Sequence, residues 1–171
     1  MPDKQLTGLL SRRKGQFFEE LLLSANQYYE NKGIAVVEKT PEPMRILKPY
    51  DQKGRFVACF AKQAQPDFKG VLRDSSMIIF DAKATDKDRI QRSAVTAEQE
   101  ECFDRYQKMG AHCFLVITLG FDRFYRIPWE IFRDMKDKFG HKYMDENDLN
   151  SFKIPFTYGK VLYLEGMELK D

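Results

Sequence analysis

A chain of 171 residues, 43% hydrophobic and 32% charged, has enough material for one core and too little for two ordinary domains, so a single domain over 1–171 is expected. A net charge of +2 gives little bulk attraction for nucleic acid, and no apolar run approaches the roughly 20 residues that cross a bilayer. The cysteines Cys59, Cys102 and Cys113 are scattered, and 1–14 carries basic residues without an apolar segment, which argues against export and for reduced thiols in a cytoplasmic protein.

In chain order, 1–14 reads as a basic, flexible N-terminus. A helix is expected over 15–32, where Phe18, Leu21, Leu22, Ala25 and Tyr28 recur at helical spacing and Gly33 is placed to cap the end. Ile34 to Val37 reads as a short strand, and Pro41 and Pro43 then break regular structure. Residues 44–48 read as extended. The segment 50–65 reads as a protruding hairpin turning at Gly54, with Phe56 to Phe60 as its returning strand. Val71–Leu72 and 77–82 are paired strands around a polar turn, and 83–92 reads as a polar loop.

Thr96 and Gln99 have the spacing of a capping box, so a helix is expected from there to about Lys108, stopped by Gly110. The run 113–119 is a strong buried strand, and 123–127 is a second one closed by Pro128. A helix over 129–138, a helical turn over 146–149 and an apolar segment over 161–164 complete the chain. The order implies an α/β fold with a mixed sheet of four or five strands, and the helix after the 77–82 strand makes 113–119 its parallel neighbour.

The most telling pattern is Pro66-Asp67-Phe68-Lys69-Gly70 followed by Ile78-Ile79-Phe80-Asp81-Ala82-Lys83. Residues i and i+2 of a strand share a face, so Asp81 and Lys83 project together. Carboxylates hold a hard cation through oxygen, and an ammonium orients a water or stabilises charge building on phosphorus. A solvated edge would also show charges at alternate positions, but the apolar run before Asp81 reads as a central strand. Basic residues gather near this pattern: Arg12, Arg13 and Lys14, then Lys53 and Arg55, Lys62 and Lys69, and Lys87 and Arg89. These are the candidate DNA contacts.

Pro-Asp followed by Asp-x-Lys, with Glu19 on an upstream helix, resembles the PD-(D/E)xK nuclease superfamily. Over most of the chain the resemblance is closer, to the RecU family of Holliday junction resolvases. It is carried by Gly15-Gln16-Phe17-Phe18-Glu19, Asn26-Gln27-Tyr28-Tyr29, 33–43, Phe60-Ala61-Lys62-Gln63, Asp67-Phe68-Lys69-Gly70, Phe80-Asp81-Ala82-Lys83, Gln99 and Gly110. The resemblance implies a restriction-endonuclease-like mixed sheet flanked by helices, with a stalk at 50–65 that enters the junction. It implies a homodimer acting on four-way junction DNA with Mg2+, or Mn2+ in its place, by symmetric paired nicks, with a recombinase as a further partner. Asp67, Asp81 and Glu19 would hold the metal, Lys83 would complete the catalytic set, and Gln99 would orient water or a carboxylate.

Two departures stand out. The family usually has Glu where this chain has Asp81, which shortens the reach by one methylene, about 1.5 Å. The stalk is a few residues short and a long basic N-terminal arm is lacking, a combination that suggests a bacteriophage or prophage version. The alternatives are a less selective nuclease of the same superfamily and a junction-binding recombination accessory protein in which catalysis is secondary.

Overall fold

A computed structural model describes residues 4–61 and 65–167. Its helices are α1 (Lys4–Asn31), α2 (Ala97–Lys108), α3 (Trp129–Arg133), α4 (Met135–Phe139) and α5 (Glu146–Leu149). Its strands are β1 (Ala35–Lys39), β2 (Met44–Pro49), β3 (Phe56–Phe60), β4 (Phe68–Leu72), β5 (Met77–Thr85), β6 (Arg89–Gln91), β7 (His112–Leu119), β8 (Arg123–Pro128), β9 (Tyr143–Asp145), β10 (Phe156–Thr157) and β11 (Lys160–Val161). Five of them form the main sheet in the order β1-β4-β5-β7-β8. Only β5 and β7 are parallel, joined by the α2 crossover as expected; the other neighbours are antiparallel.

Alternation along the central strands makes two cores. Ile78 and Phe80 of β5, with Phe114 and Val116 of β7, face Phe18, Leu22, Ala25 and Tyr29 of α1 and the tail residues Val161 and Tyr163. Ile79, Leu115 and Ile117 face the other way, onto Phe103 of α2, Trp129 and Phe132 of α3, and Ile90 and Met144. Phe68, Phe80 and Phe114 stack across three strands, with centroids 4.8 and 5.0 Å apart. Each such ring contributes about 1.5–3 kcal/mol on burial. A polar latch holds the first core's edge: the Tyr163 hydroxyl donates to Asn26 Oδ1 at 2.5 Å, and Asn26 Nδ2 donates to the Val37 carbonyl at 3.2 Å.

Glycine is required at Gly70. A Cβ there would stand 2.4 Å from the Val36 carbonyl oxygen, so the close approach of β1 and β4 depends on its absence.

Several boundaries differ from the sequence expectation. The helix expected from residue 15 begins at Lys4 and takes in most of the basic segment expected to be flexible, because 4–14 holds good helix formers and no proline. The hairpin expected at 50–65 is built by β2 and β3, so its first arm starts at Met44, while 62–64 lie outside the described residues. The expected loop 83–92 is not all loop: β5 continues to Thr85, and β6 pairs antiparallel with β9. One apolar residue, Ile90, drives that pairing by burial, and a single residue shows no periodicity to read. The expected helix 129–138 is broken at Asp134, whose carboxylate accepts from Arg133 Nε at 2.8 Å. Of the apolar tail segment 161–164, only Val161 is in a strand, β11.

Candidate active site

Asp81 and Lys83 lie on the face of β5 that looks toward α2, with Asp81 fully buried and Lys83 Nζ 3.2 Å from Asp81 Oδ2. The place of Asp67 follows from Pro66. In the antiparallel register Phe68 opposes Phe80, so residue 66 would oppose Ala82. Proline has no N–H for the ladder, and β4 begins only at Phe68. Beyond that point the exposed edge of β5 is closed by a side chain. Asp67 Oδ2 accepts from the Ala82 N–H at 2.9 Å, and Asp81 Oδ1 accepts from the Asp67 N–H at 2.9 Å. Each carboxylate is thus fixed by the other strand's backbone.

Gln99 completes the corner from the first turn of α2. Its Oε1 accepts from the Thr96 N–H at 3.1 Å while Thr96 Oγ1 accepts from the Gln99 N–H at 3.3 Å, the capping box expected from sequence. The remaining end of the amide, Nε2, donates to Asp81 Oδ2 at 2.6 Å. Burial first, and then the adjacent Asp81 charge, raise the Asp67 carboxyl from its ordinary value of 3.8 to about 6, against the opposite pull of the Ala82 N–H and Lys83. Two carboxylates in a part-buried corner, with an ammonium beside Asp81, are a donor set that suits a hard divalent cation through oxygen. Among the described residues no group of three His, Cys, Asp or Glu side chains is drawn together as a ligand cluster.

Glu19 is the expected residue that does not converge. Its charge contributes to raising Asp67, yet its carboxylate is hydrogen-bonded by Lys39 at the end of β1. Lys39 opposes Phe68 in the β1–β4 ladder, and the next N–H, of Thr40, donates to the Asp67 carbonyl at 2.8 Å. Sequence reasoning missed Lys39, because its proximity comes only from pairing of β1 with β4.

The candidate DNA contacts are dispersed. Arg12 and Arg13 are exposed on α1, and Lys14 pairs with Asp86 at 2.7 Å. Lys53 is exposed at the hairpin tip; Arg55 pairs with Asp51 at 2.5 Å and lies over Tyr50. Lys69 donates to Gln65 Oε1 at 3.3 Å. Lys87 and Arg89 are exposed beyond the end of β5, and Lys62 lies outside the described residues. No helix among the described residues is long and apolar enough to cross a membrane.

The chain is similar to known proteins in sequence and in fold. The family model described as Recombination protein U matches residues 13–168. Proteins described as Holliday junction resolvase RecU are similar along the chain. The one from Streptococcus gordonii is 31% identical over 109 residues, covering 61% of this chain and 54% of that protein. The one from Ligilactobacillus salivarius is 29% identical over 148 residues, covering 83% and 65%. The one from Streptococcus equi subsp. zooepidemicus is 30% identical over 168 residues, covering 92% and 82%. The chain thus spans between about half and two thirds of the length of the first two. Among solved structures, Archaeoglobus fulgidus Hjc, a Holliday junction resolvase from an archaeal hyperthermophile, superimposes with a TM-score of 0.51 at 11% identity, covering 81% of this chain and 93% of that one. That likeness is one of fold, restriction-endonuclease-like, with the mixed sheet flanked by helices. On the family match over 13–168 and the Streptococcus equi relative, the chain belongs to the Recombination protein U family.

Proposed function

We propose that the protein is a metal-dependent endonuclease that cuts four-way DNA junctions. The observation that carries this reading is the buried corner in which Asp67, Asp81, Lys83 and Gln99 fix one another at 2.6–3.2 Å. Asp67 and Asp81 would hold Mg2+ or Mn2+, which neutralises phosphate charge and acidifies a water when bound. Lys83 presents its ammonium where negative charge develops on the scissile phosphate. Gln99 and the Ala82 N–H hold the two carboxylates in place, so little reorganisation is needed during reaction.

The hairpin supports junction selection. Ile46, Tyr50, Phe56 and Phe60 are each more than half exposed, with Lys53 and Arg55 at the tip, an apolar surface with cations that suits unpaired bases and phosphates at a branch point. A two-fold homodimer would present two equivalent sites to two equivalent strands and nick them symmetrically.

Incubating the protein with end-labelled four-way junction and linear duplex, with Mg2+ and with chelator, tests the reading. Paired nicks in the junction, absent with chelator and weak on duplex, are expected. Equal cutting of both substrates would leave a less selective nuclease. Binding without cutting in any divalent metal would leave an accessory protein.

A further inference from the structure

We infer that Arg89, stacked at the end of an aromatic column, is a phosphate contact for the DNA strand running away from the cut, a role that rests on the nuclease reading above. The column is Phe139, His141 and Tyr143. His141 and Tyr143 lie parallel with centroids 4.0 Å apart, Phe139 follows 6.4 Å from His141, and the Arg89 guanidinium covers Tyr143 at 4.8 Å. The pairing of β6 with β9 places Arg89 and Tyr143 together on the outer face as diagonal neighbours, while Ile90 and Met144 point inward. Those two side chains join the core on the side of the sheet that carries Asp81 and Lys83, so column and corner share a face.

An exposed arginine beside acids is usually paired. Here Asp145 stands directly opposite Arg89 in the ladder but caps α5, accepting from the Asn147 and Asp148 N–H groups at 2.9 and 3.2 Å. Asp88 leans to Arg123 at 3.9 Å. Among the described residues Arg89 makes no side-chain hydrogen bond or ion pair, and it is exposed where it rests on the Tyr143 ring. An exposed, unpaired guanidinium resting on a ring suits a phosphodiester, which it can meet with two donors. Six residues separate Arg89 from Lys83, a reach of at most about 20 Å. Along one strand of duplex, at about 3.4 Å per phosphate, that is within roughly six nucleotides of the cut.

The test is binding of a fluorescent four-way junction in chelator, which prevents cutting, across a range of salt. Arg89→Gln is expected to weaken binding about tenfold and to flatten the slope of log affinity against log salt by about 0.9, one phosphate contact. Arg89→Lys and Tyr143→Leu keep the charge and lose the stack, so each should lose about threefold with the slope retained. Lys32→Gln, which removes one exposed charge at the far end of α1, should leave the slope unchanged. Wild-type affinity and slope in Arg89→Gln, or an affinity loss with no change in slope, would overturn the inference. Cutting by the wild type in Mg2+ is scored separately: its absence with a flattened Arg89→Gln slope defeats the nuclease reading and leaves the contact standing, and the converse pattern does the reverse.

Discussion

Two hairpins of this chain use similar residues in opposite ways. In the β4–β5 hairpin, Phe68, Ile78, Ile79 and Phe80 are wholly buried, and the acids are tied to backbone N–H groups and to a neighbouring amide. In the β2–β3 hairpin, Ile46, Phe56 and Phe60 are 60%, 53% and 66% exposed, and every residue of β2 is exposed. One hairpin's sequence answers to the fold, and on the proposed function its rigidity would serve chemistry. The other's apolar surface does nothing for the fold, so its side chains answer to something outside the chain.

Stability separates the two most sharply. Phe80→Ala removes the middle ring of the Phe68–Phe80–Phe114 stack and should cost about 3–5 kcal/mol in chemical unfolding. Phe56→Ser should stay within about 0.5 kcal/mol while junction cutting falls toward the rate on linear duplex. A large destabilisation by Phe56→Ser would show that the hairpin is part of the core's support and erase the contrast.

Chemistry comes next. Asp81→Asn keeps the size of the side chain and removes its charge, so single-turnover cutting should drop about a thousandfold, equivalent to about 4 kcal/mol of barrier. Cutting at near wild-type rate would move the active site elsewhere. Asp81→Glu restores the reach usual in the family but pushes an extra methylene into a fully buried position, so a stability loss of about 1–3 kcal/mol should accompany whatever activity it retains.

The geometry of the candidate corner was legible in the sequence where it follows from strand alternation and local spacing. Asp81 and Lys83 share a face two residues apart, and Thr96 with Gln99 announces the start of α2 by a three-residue rule. The five-strand sheet with its parallel β5–β7 pair was legible for the same reason. What was not legible came from long-range pairing. Lys39 is brought next to the Asp67 segment only because β1 lies along β4, and β6 exists only because β9, more than 50 residues later, covers Ile90. The start of α1 at Lys4 was missed because weakly amphipathic sequence gives no periodic signal, although nothing in 4–14 prevents a helix.

Asp67 offers a prediction with a defined sign. Its folded-state pKa, about 6, lies above the ordinary 3.8, so between those values the folded protein holds a proton that the unfolded chain has lost. In chelator, this group's contribution to stability is therefore fully present below about pH 4 and lost as pH rises through about 6. Asp67→Asn should remove that dependence and stabilise the metal-free protein at pH 7 by on the order of 2 kcal/mol, while abolishing cutting. A fall in thermal stability for Asp67→Asn at pH 7 would mean that the charge is better accommodated than the burial implies.

Gln99 gives the smallest effect and the finest division, since one side chain serves both helix and site. Thr96→Ala removes the cap but leaves Gln99 Nε2 free to hold Asp81, so it should cost about 1 kcal/mol of stability and little of the cutting rate. Gln99→Ala removes both functions and should add a loss of about tenfold in rate to a similar stability cost. Gln99→Glu separates them from the other side: glutamate is a favoured partner in a capping box, so the helix start survives, but a second carboxylate then faces Asp81 where a donor is needed. Slow cutting by Gln99→Glu with an intact helix assigns the amide to the site. Equal rates for Gln99→Glu and Thr96→Ala would instead reduce Gln99 to a helix cap that happens to touch Asp81.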